Sequence, residues 1–550
     1  MTAFTKPWRS QLIFATQRWW LLFLLVSSSA ATQHSAPSAA AASTQARLTT
    51  ASTTGGKAAF KARILQAAAA RPRQDVQQPT LPESLLARGY KGLAPAVMRN
   101  WRRLADKLNT PGSNVTVVAF GGSITAGYID AAPNSSWVDP LMASLRVRYP
   151  AVSFSLVNLA RGGHDVQAAA TCWYQLAPQD ADLILVEYSV NGCNGNMWCH
   201  SFMAPKIAAY EIFMRRMIRR APWAALLAVA AFDFTSMGVS LRDSFNHRIA
   251  GNTTRLRPHY SSGENFHTRI AHRYGIPMAS IRDALYDIFY DDQLLLAVTG
   301  MTKEQLLSPA AMIHPSAAGH VLFAKVIWYT LQLTLSNVMA ATRGAPGSPQ
   351  QQQLPVPPPI SPKAAAEAGI DPFCAEAAHL EQYATNSTGW SWGEGPRGLP
   401  CPHPNCIAWG FSATGAGKTL EFTIDTQNST SGSALQRRSL LGIFQRSILA
   451  DWVSKLGPAQ LSCVSGCSCR PVQMTFDPSV LRSMGKNNWG NLGVASTEVT
   501  PHPQCVVAVT ILGSATGQGF FFFNGLAVVP LAKPDLLPID QRAKYAFRFS

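Results

Sequence analysis

VTVVAFGGSITAGY, residues 115–128, is the stretch whose reading decides the fold of this chain. Five of the six residues from Val115 to Phe120 are β-branched or aromatic, Gly121-Gly122-Ser123 interrupts them, and Ala126-Gly127 leads into a more helical pattern. This is the outline of a buried strand, a tight turn and a helix start. Ser123 stands where substrates bind α/β sheets, just past the carboxyl end of a strand, with glycines that let the backbone bend sharply. Its hydroxyl suits a nucleophile there, or simply a cap on the following helix.

Working outward, Ser153–Leu159 alternates into a second strand followed by Ala160-Arg161-Gly162-Gly163, and Ala181–Val190 is a continuous apolar strand that ends at Asn191-Gly192. An unbroken apolar run of this kind fits a sheet covered on both faces. Further strands fit Trp223–Phe234 and Pro277–Ile281, with helices over Asp139–Arg148, Lys206–Arg220, Glu264–Tyr274 and Gly319–Leu335. Strands alternating with helices predict an α/β domain, a doubly wound and mainly parallel sheet, over residues 82–340.

Beyond it, residues 341–367 carry GSPQQQQLPVPPPISP, the composition of a flexible, partly polyproline linker. Residues 368–534 change period: short strands within Cys401–Thr426 and at Val472–Phe476, Gly493–Thr497, Cys505–Leu512 and Gly519–Val529 are separated by Gly, Pro and Asn turns. An all-β sandwich is expected, with a short basic tail at 535–550. Residues 32–81, rich in Ala, Ser, Thr, Gln and Pro, read as a low-complexity stem. Residues 1–31 read as a signal peptide: Lys6, Arg9 and Arg18 precede the apolar run Trp19–Val26 and small residues follow. An uncleaved membrane anchor is the other reading of that segment.

Entry into the secretory pathway, ending outside the cell, in the wall or in the Golgi lumen, agrees with five Asn-x-Ser/Thr sequons and with ten cysteines. Three cysteines precede the linker and seven follow it, so either a bridge joins the two halves or two thiols stay free. The net charge of +17 suits acidic polysaccharide or a membrane surface, and nucleic acid least in a secreted chain. Arg215, Arg216, Arg219 and Arg220 share one helical face, which a solvated surface accounts for.

Ester hydrolysis needs a nucleophile, a base and donors aimed at the developing oxyanion. Ser123 in GGSIT, Gly163 in NLARGG, Asn191 in VEYSVNG and His314 in IHPSAAGH supply those types in order, the first three at strand ends. This order and spacing resembles the SGNH (GDSL-type) hydrolase superfamily over about Val115–Leu335. The resemblance implies Ser123 as nucleophile and His314 as base. The oxyanion hole would comprise the N–H groups of Ser123 and Gly163 and the Asn191 amide, with no cofactor or metal. It also implies an esterase, lipase, deacetylase or acyltransferase, and the pairing with a sandwich is similar to secreted plant and algal members acting on cell-wall glycans. The expected activity is therefore hydrolysis of acyl, especially acetyl, esters on a carbohydrate, with Trp390, Trp392 and Trp409 as candidate sugar-stacking residues.

The chain departs from the family pattern where an aspartate precedes the histidine by three residues: here that position is Ala311. The aspartate would orient the imidazole and stabilise its cation. Asp283, Asp287, Asp291 and Asp292 are upstream candidates to replace it, and a catalytically weak glycan-binding protein is the competing reading. Gly122 and Gly192 stand where the family often has aspartate. His320, six residues after His314 at a helix start, reads as structural. Ser412–Thr419, SATGAGKT, resembles a phosphate-binding loop, but a strand rather than a helix follows it. Cys463, Cys467 and Cys469 read as disulfide partners rather than zinc ligands.

Overall fold

A computed structural model describes residues 79–92, 98–127, 136–161, 166–193, 202, 204–232, 234, 262–308, 314–342, 355–366, 371–376, 378–394, 409–427, 438–446, 456–475, 491–513 and 519–530. The proposed signal segment, nearly all of the stem, Gly163, Ala311 and the basic tail lie outside them.

Six strands form the first sheet: β1 (Tyr90–Lys91), β2 (Asn114–Gly121), β3 (Ser153–Asn158), β4 (Leu183–Glu187), β5 (Ala225–Ala230) and β6 (Met278–Ser280). Their order is β1-β6-β5-β4-β2-β3. The five from β3 to β6 run parallel, and the short β1 closes the β6 edge antiparallel. Every residue of β4 and β5 is buried, as their unbroken apolar sequences LILVE and ALLAVA require of strands covered on both faces. The chain leaves β2 first for β3 and then returns for β4 on its other side, so the order reverses at β2. The crevice at the carboxyl ends beside such a strand is where α/β sheets bind ligands, and β2 ends at Gly121.

The helices cover this sheet. Helix Pro205–Arg220 places Ile207, Tyr210, Phe213, Met214 and Met217 in the core. The last helix of the α/β half, Ala317–Thr342, is long and apolar enough to cross a membrane by length and composition. Here it buries Leu322, Val326, Ile327 and Leu331 in the domain core.

The C-terminal region is a pair of antiparallel sheets. One has the order β15-β12-β17-β10-β9 with β7 on β17; the other runs β14-β13-β16-β11-β8. The strands concerned are β7 (Phe373–Glu376), β8 (Ala384–Asn386), β9 (Ser391–Glu394), β10 (Trp409–Thr414), β11 (Thr419–Ile424), β12 (Arg438–Arg446), β13 (Ala459–Ser465), β14 (Val472–Met474), β15 (Asn491–Val499), β16 (Cys505–Ile511) and β17 (Phe520–Pro530). Between the sheets lies a second core of Phe411, Phe422, Leu440, Phe444, Val507, Phe521 and Phe523. The segment Ser412–Thr419 turns from β10 in one sheet to β11 in the other, with Gly415 and Gly417 at positive φ, so it is a β-turn connection and opens no helix. Cys463 pairs with Cys469 and Cys467 with Cys505.

The two halves are joined. Cys172 and Cys374 form an interdomain bridge, one of the two outcomes the odd cysteine counts allowed, spanning 202 residues. The α/β core is continuous with Leu441, Ile443, Val494 and Ala527 of the sandwich. The proline-rich stretch lies against the α/β half: the Ile360 and Ser361 amides donate to Glu211, and Arg215 and Arg273 donate to the carbonyls of Pro357 and Pro358. The arginine face of helix Pro205–Arg220 is accordingly half covered: Arg215 and Arg216 are buried, while Arg219 and Arg220 are partly exposed. Closing so long a loop constrains the unfolded chain strongly, so Cys172→Ser with Cys374→Ser is expected to lower stability by about 3–5 kcal/mol, read by chemical denaturation. An unchanged denaturation midpoint would show that the packed seam holds the halves together without the bridge.

Candidate active site

Ser123 opens the short helix Ser123–Ala126 directly after β2. The N-cap residue is Gly122, so Ser123 is not the cap. Its Oγ lies 2.7 Å from His314 Nε2, across 191 residues of sequence. At this length a neutral imidazole with its free nitrogen toward Ser123 accepts the hydroxyl proton, the arrangement a general base needs.

Local chemistry fixes the Ser123 turn. Gly127 closes it in the left-handed region at φ 74°, its N–H donating to the Ser123 carbonyl. Thr125 Oγ1 donates to Glu187 Oε2 at 3.0 Å, and the Trp137 indole donates to Thr125 Oγ1 at 3.2 Å. Ser136 Oγ donates to the Thr125 carbonyl at 2.8 Å. Glu187 pairs in register with Gly121 across the β2–β4 ladder, so one buried carboxyl ties the two strand ends together. Burial pushes its pKa above the usual carboxylate value, against hydrogen bonds from Thr125 and Ser189 that lower it.

Asn191 follows β4 on the short helix Val190–Cys193. Its amide presses on Gly122: a Cβ there would lie 2.0 Å from Asn191 Oδ1 and 2.3 Å from its Cγ. The glycine standing where the family often has aspartate is therefore required by packing in this chain. Asn191 and Ser123 are thus neighbours at the crevice mouth, while Gly163 lies outside the described residues.

His314 sits on a loop tied down on both sides. Its carbonyl accepts from the Ser308 amide at 2.9 Å, Leu307 bridges Pro315, and the Ser316 amide donates to the Leu306 carbonyl. Ser316 Oγ then accepts from the Gly319 amide as the final helix starts. The four upstream acids are all engaged: Asp283 with Lys91 and Arg282, Asp287 with Arg88 at 2.6 Å, and Asp292 with Lys303 at 2.6 Å. Asp291 caps its own helix, accepting from the Leu294 amide at 3.0 Å.

His320 is structural, as its spacing suggested: fully buried, its Nδ1 accepts the Trp137 amide at 3.1 Å. Burial, and secondarily the neighbouring His314 charge, lower its pKa to about 3. Burial does the same to His267, stacked 3.7 Å from Tyr210, also to about 3. An unfolded imidazole titrates near 6.5. The unfolded chain therefore takes up protons first, and the stability these two neutral rings contribute is present above pH 6.5 and falls as pH drops toward 3. Each contributes a slope of about 1.4 kcal/mol per pH unit. Glu187, with its raised pKa, acts in the opposite sense, so the difference between two proteins isolates the imidazole: between pH 7 and 5, His267→Leu is expected to lose about 2 kcal/mol less than the parent chain in urea denaturation. Equal losses would show that His267 is protonated in the folded protein.

Glu187, Thr125 and Trp137 escape the sequence reading. The signal was there in LILVE, a single carboxyl in an otherwise apolar strand, which demands a buried partner.

Residues 119–322 match the family model described as GDSL-like Lipase/Acylhydrolase. The α/β half of this chain therefore carries a GDSL-like hydrolase domain of the SGNH superfamily, followed by the antiparallel sandwich. No curated protein matches the chain. Among solved structures it is similar to a two-domain esterase active on acetylated mannans, at 14% identity and TM-score 0.50, covering 81% of this chain and 98% of that one. It is also similar to an acetyl xylan esterase from Geobacillus stearothermophilus (16% identity, TM-score 0.28, 40% and 96% covered). A third is an extracellular lipase from Streptomyces rimosus (15% identity, TM-score 0.28, 40% and 99% covered). At 14% identity the likeness to the two-domain esterase shows the fold alone.

Proposed function

We propose that this protein is a serine esterase that removes acyl groups, acetyl in particular, from a carbohydrate in the secretory pathway or outside the cell. The observation that carries the reading is the 2.7 Å approach of His314 Nε2 to Ser123 Oγ at the sheet's switch point, inside a GDSL-like hydrolase domain. Ser123 attacks the ester carbonyl while His314 takes its proton. The Asn191 amide and the Ser123 and Gly163 N–H groups receive the negative charge on the carbonyl oxygen. Collapse of the tetrahedral intermediate breaks the C–O bond, and the sugar hydroxyl leaves with the proton from His314. Water, deprotonated by the same imidazole, then releases the acid from Ser123. No metal or cofactor enters these steps.

The carbohydrate assignment draws support from the two-domain likeness to a mannan esterase and from Trp409, exposed beside Trp392 at 6.2 Å on the sandwich edge. Trp390, by contrast, is buried. Release of acetate from acetylated glucomannan and from acetylated xylan, compared with p-nitrophenyl butyrate, tests it: acetate release from at least one glycan is expected, and hydrolysis of the butyrate alone would contradict the carbohydrate assignment. A weaker, glycan-binding role is the second reading, favoured by the engagement of all four upstream acids elsewhere. Undetectable turnover together with retained glycan binding would establish it.

A further inference from the structure

A cavity of about 430 Å³ lies in the seam between the two halves, apart from Ser123 and His314. Its size falls in the range of small-molecule sites. The walls come from both halves: the segment from Cys172 to Gln179 and the end of helix Pro205–Arg220 on one side, and the chain from Asp371 to Tyr383 on the other. The Cys172–Cys374 disulfide joins them, so the cavity is preformed, which spares a ligand the entropy of ordering it.

The lining that reaches solvent includes Gln179, Arg219, Arg220, Asp371, Gln382 and Tyr383. Two amides and a half-buried phenol are partners for hydroxyl groups and for the face of a sugar ring. Arg220 adds positive charge that has no carboxylate partner among the described residues, while Arg219 shares its charge with Asp371. Arg220 donates to the carbonyls of Ala177 and Gln175, which satisfy N–H groups without cancelling the charge. Arg219 pairs with the exposed Asp371 at 3.4 Å, a surface contact that the acid group of a ligand would replace, and the other carboxyl of the wall, Glu376, is taken by Arg161 at 3.5 Å and by the Trp173 indole. Guanidinium forks match carboxylate and sulfate geometry.

We propose that this seam cavity is a binding site for an anionic sugar, a uronate or sulfated residue of a glycan, with Arg219 and Arg220 taking the acid group and Tyr383 and the glutamines taking the ring. The site is separate from ester hydrolysis and does not depend on it. Binding is therefore measured by calorimetry on the full chain carrying Ser123→Ala, with trigalacturonate, neutral mannotriose and inorganic sulfate as probes. Trigalacturonate is expected to bind saturably one to one, at least tenfold tighter than mannotriose or sulfate, and more weakly as salt is raised. Arg219→Ala, at a partly exposed position, is expected to weaken it tenfold or more, and Arg219→Lys, which keeps the charge but loses the fork, by an intermediate factor. Circular dichroism confirms that both variants fold. Sulfate binding as tightly as trigalacturonate would overturn the sugar assignment. Absence of saturable binding, or equal affinity in Arg219→Ala, would overturn the site.

Discussion

Ser123→Ala is expected to reduce hydrolysis of p-nitrophenyl acetate by a factor of about 10⁴ or more while leaving the fold intact. The side chain is half-buried and makes no cap, so its loss removes a hydroxyl and opens little space. What disappears is the covalent path. Without the nucleophile, only binding and oxyanion stabilisation remain, which in serine hydrolases leaves a small residual acceleration over water. His314→Ala should fall nearly as far, and the double variant scarcely further, because the two groups act as one unit 2.7 Å apart. Progress curves of the three variants against the parent check this, and activity retained in Ser123→Ala would place the chemistry elsewhere.

Gly122→Ala is expected to lower kcat by about 10²-fold or more with little change in KM. The backbone there, at φ −87°, suits any residue, so the substitution meets no conformational strain. The obstacle is spatial: the new methyl would lie 2.0 Å from Asn191 Oδ1, and the amide must leave its place. Displacing one oxyanion donor costs roughly 10²–10³ in kcat, since the donor bonds the charge that develops in the transition state rather than the substrate. Steady-state kinetics on the variant, with thermal unfolding alongside, separates this from loss of fold. Wild-type kcat in Gly122→Ala would show that Asn191 does not stabilise the oxyanion.

Ser123 and Gly122 both lie in the fourteen residues Val115–Tyr128. The strand, turn and serine were legible because a strand covered on both faces must be apolar throughout and a sharp bend at its end must use glycine. β5 and β6 were visible for the same reason, and β3, a partly exposed edge strand, by its alternation. Ala181–Val190 read as one strand, whereas β4 stops at Glu187 and the chain turns helical at Val190, swinging Asn191 over Gly122. Two features were hidden by contacts that only the assembled fold creates. β12, with Leu440 and Phe444 in the sandwich core and Leu441 and Ile443 in the seam, is apolar on both sides and so lacks the alternation that marks a sandwich strand. The arginine face of helix Pro205–Arg220 reads as solvent-facing by its charge, yet Arg215 and Arg216 are buried and bond the carbonyls of Pro357 and Ala170, and the partly exposed Arg220 bonds those of Ala177 and Gln175. The nearness of Ser123 to His314 could be anticipated only from the family pattern, since no local rule spans 191 residues.

The most direct test of the account is covalent labelling. Diisopropyl fluorophosphate phosphorylates a serine only where a base and an oxyanion site activate it. Peptide mass spectrometry of the treated full chain is expected to find one adduct, on Ser123, formed in proportion to the loss of esterase activity and absent from His314→Ala. Full modification of another serine in step with that loss, or complete activity with Ser123 unlabelled, would contradict the assignment of Ser123 and His314 as the reacting pair.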